Sequence, residues 1–148
     1  MAASQLLDRP LTKPGSSLAR GVAVVQGLYF LATGVWPLVS IDTFLRVTGP
    51  KTDLWLLETV GLLVGVIGIA LLVAARRALS AEAVFLAIGA AVALTMIDVF
   101  YVSRRVIPPV YLLDVLAELA FLIAWAAAAW QINRRSNTVR FPAPGLQS

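Results

Sequence analysis

The sequence lacks two residue types on which much protein chemistry depends, since it contains no cysteine and no histidine. Without cysteine there is no disulfide and no thiol redox chemistry. Without either residue there is no Cys/His zinc site, no histidine-ligated haem and no Ser-His-Asp triad. The sequence therefore predicts a chain with no metal site and no cofactor of its own.

Charged residues are also scarce. They make up 14% of the chain, against roughly 25% in a typical soluble domain, while 59% of the residues are hydrophobic. The net charge is +4, and the basic residues lie in tails and short loops beside apolar runs, where membrane proteins place them. We therefore predict the lipid bilayer as the main partner of this chain, and not a nucleic acid.

Four long apolar runs dominate the sequence. Each has enough residues to cross a hydrocarbon core of ~30 Å at 1.5 Å per residue, and the first is longer than the apolar part of a cleaved signal peptide. The sequence thus predicts an all-α integral membrane four-helix bundle over residues 20–132, between disordered cytoplasmic tails at 1–19 and 133–148. The predicted spans are residues 21–39, 54–75, 81–102 and 110–132.

The loops carry helix-boundary signals. Asp53 and Ser80 are suited to cap the second and third helices, and Pro108-Pro109 suits the start of the fourth. In the first loop, helical spacing predicts a short helix along the membrane surface, which Ser40 would cap and Gly49-Pro50 would end. Its apolar face would hold Ile41, Phe44, Leu45 and Thr48, and a simple covered loop is the alternative.

The distribution of basic residues predicts the orientation. Eight lie in the two tails and the second loop: Arg9, Lys13, Arg20, Arg76, Arg77, Arg134, Arg135 and Arg140. Four lie in the first and third loops: Arg46, Lys51, Arg104 and Arg105. The positive-inside rule then places both termini in the cytoplasm. The scarcity of lysine beside arginine suggests a GC-rich bacterial genome, and hence the inner (plasma) membrane of a bacterium.

Four of the eight acidic residues lie at least four residues inside the apolar runs, namely Glu58, Asp98, Asp114 and Glu118. A carboxylate near the bilayer centre costs at least ~2.5 kcal/mol, so such residues usually face a bundle interior and have a role. Because successive helices run in opposite directions, all four fall in the half of the membrane next to the first and third loops. Glu118 is the deepest of them.

Each predicted helix carries one polar or small-residue stripe at helical spacing. The stripes are Gln26, Tyr29, Thr33 and Trp36 on the first helix; Glu58, Gly61, Gly65 and Gly68 on the second; Thr95 and Asp98 on the third; and Tyr111, Asp114, Glu118 and Trp125 on the fourth. We expect them to converge on one ligand or proton site open toward the first and third loops. The glycine face is expected to pack inside the bundle.

No lysine or arginine lies well within the spans to neutralise these acids. Burial and like charge both disfavour the ionised form, so several carboxyls are expected to hold a proton. Basic side chains of the first and third loops could reach down toward them. The alternative is that the acids extend to water at the interface or cap neighbouring helices.

The second predicted span reads Glu58-Thr59-Val60-Gly61, followed by Gly65 and Gly68. This resembles the E-x-x-G…G pattern in the second helix of DoxX-like small membrane proteins, which also have four spans. The likeness covers about the first 75 residues, and the surrounding sequence is more similar to an uncharacterised bacterial subfamily. It implies a small membrane subunit and carries no catalytic residue over to this chain.

Three functions remain open from the sequence. The first is a module that binds or passes a proton, a cation or a lipophilic ligand at the acidic site. The second is a non-catalytic membrane anchor, or a subunit that binds a protein partner, with the acids serving packing. The third is a quinone-linked subunit of a redox complex. The sequence favours a non-enzymatic protein and leaves the ligand, the partner and the oligomeric state open.

Overall fold

The computed structural model describes residues 15–77 and 79–138, and these residues form helices and short connections. The prediction of an all-α chain with a short helix in the first loop is confirmed. The elements are α1 (Gly15–Val39), α2 (Ile41–Thr48), α3 (Leu54–Arg76), α4 (Ala81–Ser103), a 3-10 turn (Pro109–Tyr111) and α5 (Leu112–Thr138).

Four of these helices are long and apolar enough to cross a membrane. The candidate spans are Ser17–Val39, Leu54–Arg76, Ala81–Ser103 and Pro109–Arg134. Large apolar side chains such as Leu63, Phe85 and Ile123 cover the outer surface of the bundle, as expected when the surrounding solvent is lipid. The chain is therefore a four-span membrane protein.

The ends of the bundle differ from the prediction. Helix α1 already begins at Gly15, and α5 continues to Thr138, so residues 15–19 and 133–138 are helical and not disordered. Hydropathy marks the edge of the bilayer, whereas a helix can continue into polar sequence because its backbone groups stay paired internally. The remaining parts of the predicted tails lie outside the described residues.

The predicted capping residues have mixed outcomes. The Ser80 hydroxyl accepts a hydrogen bond from the Ala83 backbone N–H at 3.3 Å, as predicted. Pro109 opens a 3-10 turn that comes before the fourth long helix, which itself begins at Leu112. The side chains of Asp53 and Ser40 make no such cap bond, so these two predictions were wrong. The Ser40 hydroxyl instead contacts the hydroxyl of Thr43 at 2.9 Å.

Helix α1 is the central element of the bundle. It packs most extensively against α3 and also contacts α5, while α4 packs mainly against α5. Helices α3 and α4, although adjacent in sequence, make little contact with each other. The bundle is thus tightly closed between α1 and α3 and more open between α3 and α4.

The α1–α3 contact is made by two pairs of glycines that face each other. A Cβ atom added at Gly61 would lie 2.6 Å from the Gly34 carbonyl oxygen, and one added at Gly68 would lie 2.7 Å from the Gly27 carbonyl oxygen. Only residues without side chains allow two helix backbones to approach this closely. The predicted glycine face of α3 therefore packs within the chain.

The densely packed core occupies one half of the bundle, nearest the α3–α4 connection. It is built from the N-terminal parts of α1 and α4 and the C-terminal parts of α3 and α5. Its fully buried members include Ala23, Phe30, Leu71, Ala87 and Ala128. The opposite half contains a cavity.

Candidate intramembrane ligand site

A cavity of about 610 Å³ lies between the helices, in the half of the bundle that faces the first and third loops. All four spans, α2 and both loops contribute to its lining. Most of its wall is apolar, with side chains from α3, α4 and the segment before α5: Leu57, Val60, Val64, Leu94, Ile97 and Val110. Asp98, Asp114 and Glu118 are among the polar residues of its lining.

Glu118 lies at the inner end of this cavity. It is completely buried, with 0% of its surface exposed, and it lines the cavity. Neither of its carboxyl oxygens has a hydrogen-bond partner among the described residues. A buried polar group without a partner is rare in proteins and calls for an explanation, such as a bound ligand.

Asp98 and Asp114 line the same cavity beside Glu118. Asp98 is buried and Asp114 is half-buried. The hydroxyl of Tyr29 donates a hydrogen bond to Asp114 Oδ1. The structure thus brings together three carboxyls from α4 and α5 and one phenol from α1, all of which the sequence predicted for the site.

A buried hydrogen-bonded group lies outside the cavity lining and joins three helices. Gln26 Nε2 donates to the Ala87 carbonyl oxygen at 2.9 Å, and Trp125 Nε1 donates to Gln26 Oε1 at 2.8 Å. Gln26 is not among the residues that line the cavity, so its expected place in the ligand site was wrong. Its amide is already satisfied and joins α1, α4 and α5.

Aromatic residues and one lysine surround the outer part of the cavity. Trp36, Tyr101 and Tyr111 line it. The Lys51 ammonium lies 4.9 Å from the centroid of the Tyr111 ring, a cation–π distance. Trp36 Nε1 donates to the Thr43 hydroxyl at 2.9 Å, which ties α2 to the end of α1.

Thr33 lines the cavity between these two regions. Its hydroxyl donates to the Tyr29 carbonyl oxygen at 2.8 Å, one turn back along α1. The predicted α1 stripe therefore divides. Tyr29, Thr33 and Trp36 face the cavity, whereas Gln26 lies below it.

Glu58 does not take part in the site. Its side chain is exposed, and it is not among the residues that line the cavity. Gly65, Gly61 and Leu57 follow one another at four-residue intervals and so form one row along the surface of α3. Leu57, the last of this row, lines the cavity. Glu58 lies on the neighbouring row, so the stripe predicted from Glu58 to Gly68 was wrong at its first member.

Among the basic residues of the first and third loops, Lys51 is the one that reaches the cavity lining. Arg46, Arg104 and Arg105 are exposed, and the Arg104 guanidinium lies 4.9 Å from the Phe100 ring centroid. Within residues 15–77 and 79–138, no group of three acidic, histidine or cysteine residues is arranged to hold a metal ion.

The apolar part of the lining was missed by sequence reasoning. Val60 on α3 and Ile97 on α4 line the cavity. Leu63 and Val66, also on α3, are exposed and do not line it. In a span that is apolar on every side, hydropathy does not separate these positions. Only the polar members of the site gave a signal in the sequence.

Comparison with known proteins gives no relative from which a function could be transferred: no family model, no curated protein and no solved structure matches this chain. The resemblance to DoxX-like proteins therefore stays a prediction.

Proposed function

We propose that this protein binds a lipophilic ligand within the membrane and holds the ligand's polar group at the carboxyl cluster. The observation that carries the proposal is Glu118, which is fully buried at the inner end of the cavity with both carboxyl oxygens unpartnered. Leaving a buried polar group unsatisfied costs about 1–3 kcal/mol. A ligand that donates hydrogen bonds to Glu118 would remove this cost.

The composition of the cavity supports a lipophilic ligand over a bare proton or metal cation. Its volume of about 610 Å³ falls within the range of ordinary small-molecule sites, roughly 300–1,000 Å³. Its wall is mainly apolar, and its polar groups are concentrated at the inner end and the mouth. Such a division suits a molecule with an apolar body and a polar head.

Saturable binding of a lipophilic probe to the full chain in lipid nanodiscs tests the proposal. The probe is N-phenyl-1-naphthylamine, whose fluorescence rises in apolar sites, and empty nanodiscs give the background of simple partitioning. Val60→Trp places a large side chain in the cavity wall and should weaken saturable binding about tenfold or more. Leu63→Trp is the matched control, because Leu63 is an exposed residue of the same helix that does not line the cavity.

The result also separates this proposal from the anchor hypothesis. A pure anchor or packing subunit has no occupied cavity, so the two tryptophan variants would behave alike. If the wild-type protein gives only the fluorescence of empty nanodiscs, or if both variants bind the probe equally well, the proposed function is overturned.

We propose that both termini face the cytoplasm in a bacterial inner membrane. The support is the distribution of basic residues, eight on the side of the tails and second loop and four on the other, read by the positive-inside rule. In this orientation the cavity lies in the outer half of the membrane.

A further inference from the structure

We propose that the ligand is a cationic amphiphile, a long-chain amine, whose ammonium group pairs with the Glu118 carboxyl while its chain lies along the seam between α3 and α4. This inference rests on the proposed function and names the class of ligand that the same cavity would take.

The first argument is the unbalanced charge at the inner end of the cavity. Glu118 shares the cavity lining with Asp98 from α4, Asp114 from its own helix α5, and Tyr29 from α1. The part of α3 that lines the cavity is apolar. Lys51, the one basic residue in the described lining, lies over Tyr111 at the mouth, and the Asp53 carboxyl also lines the cavity. A cationic head would supply the positive charge that the protein does not.

The second argument is the pattern of hydrogen bonds. Asp114 already accepts a hydrogen bond from Tyr29, whereas the two oxygens of Glu118 have no partner among the described residues. An ammonium group has three donors and no acceptor, while an alcohol has a single O–H. Of these two heads, only the ammonium can donate to both oxygens of an ionised Glu118.

The binding step balances as an exchange of one cation for another. The O–H bond of the protonated Glu118 carboxyl breaks, and its proton leaves to water. The resulting carboxylate pairs with the incoming R–NH₃⁺, and the total charge of the site stays the same. No electrons are transferred, and no co-reactant is required.

The third argument concerns the place for the chain. Helices α3 and α4 make little contact with each other. Val60 on α3 and Ile97 on α4 both line the cavity, although 45% of the Val60 surface and 53% of the Ile97 surface are exposed. Leu56 and Tyr101 likewise line the cavity and remain exposed. We place the alkyl chain along this seam, where these side chains would keep it in largely apolar surroundings.

Competition between two probes of equal chain length tests the inference. Dodecylamine and dodecanol would be titrated against N-phenyl-1-naphthylamine on the full chain in nanodiscs, with concentrations expressed per lipid. Dodecylamine should bind about tenfold or more tightly than dodecanol, since charge-assisted hydrogen bonds are roughly twice as strong as neutral ones. In weakly buffered solution a pH indicator should also report about one proton released per amine bound.

Two matched carboxyl variants assign the effect. Glu118→Gln should abolish both the preference for the amine and the proton release, whereas Glu58→Gln, at an exposed position outside the cavity, should change neither. Val60→Trp should weaken dodecylamine binding and Leu63→Trp should not. Thermal melting shows whether each variant is folded, and proton release by the wild-type protein decides the question even if Glu118→Gln does not fold.

The failures of the two proposals are distinguishable. If the alcohol and the amine bind equally well, or the amine binds without proton release, the cationic ligand is overturned while the cavity remains a lipophilic site. If no saturable probe binding is found at all, the proposed function itself falls.

Discussion

Asp114 and Glu118 lie four residues apart on one stripe of α5, yet their surroundings differ. Asp114 is half-buried and accepts a hydrogen bond from Tyr29. Glu118 is fully buried and has no partner among the described residues. One helical turn therefore separates a carboxyl engaged within the protein from one that remains available.

At the residue scale we predict that Glu118 holds a proton in the ligand-free protein. Its side chain is fully buried, neither of its oxygens has a hydrogen-bond partner among the described residues, and Asp98 and Asp114 line the same cavity. Infrared difference spectra recorded between about pH 5 and pH 9 should show a protonated carboxyl band that Glu118→Gln removes. The band should persist in Glu58→Gln, because that residue is exposed. A band that survives Glu118→Gln would mean that Glu118 is ionised and solvated.

A second prediction at this scale concerns Gln26. Gln26→Leu would leave the buried Trp125 N–H without its acceptor, which costs about 1–3 kcal/mol. The melting temperature of the detergent-solubilised protein should fall accordingly. Gln131→Leu, on the exposed surface of α5, is the control and should have little effect. Equal stability of the two variants would show that the Gln26 group does not hold the three helices together.

At the scale of the elements, the α1–α3 contact decides which glycines matter. The two backbones meet at Gly34 with Gly61 and at Gly27 with Gly68. Gly65 is also buried, but a Cβ added there would find no atom within 4 Å. Sequence spacing treats Gly61 and Gly65 as equivalent, whereas the structure gives them different roles.

We therefore predict opposite results for the same substitution at these two positions. Gly61→Ala forces a Cβ to within 2.6 Å of a backbone oxygen, and overpacking of this kind costs about 1–3 kcal/mol. Gly65→Ala should be neutral or stabilising, since alanine favours a helix by up to ~1 kcal/mol over glycine. Thermal melting of both variants in detergent measures the difference. Destabilisation by Gly65→Ala alone would contradict this packing.

At the scale of the whole molecule, the two halves of the bundle are built differently. The half next to the α3–α4 connection contains the dense core around Phe30, Leu71 and Ala87. The half next to the first and third loops contains the cavity and its three carboxyls. The Gln26–Trp125 hydrogen bond lies where the two halves meet. A densely packed half of the bundle is thus joined to a half with room for a ligand.

The orientation of the molecule is the prediction that belongs to this scale. Eight basic residues against four place both termini in the cytoplasm. Reporter fusions after residue 148 should therefore be active in the cytoplasm, and fusions within residues 40–53 should be active outside it. The opposite pattern would reverse the orientation, and the same answer at both points would contradict a four-span chain.

The sequence by itself determined the number of spans, the short helix α2 and the half of the membrane in which Asp98, Asp114 and Glu118 lie. These follow from the length of apolar runs, from turn residues such as Gly49 and from the alternating direction of successive helices, all of which are local properties. The tertiary structure decided which polar residues meet. It joined Gln26 to Ala87 and Trp125, residues 61 and 99 positions away in the chain. It also left Glu58 outside the cavity and Glu118 without a partner. The physical reason is that the rotation of each helix about its axis is set by the close glycine contacts between α1 and α3 and by long-range hydrogen bonds, which hydropathy in an apolar span does not encode.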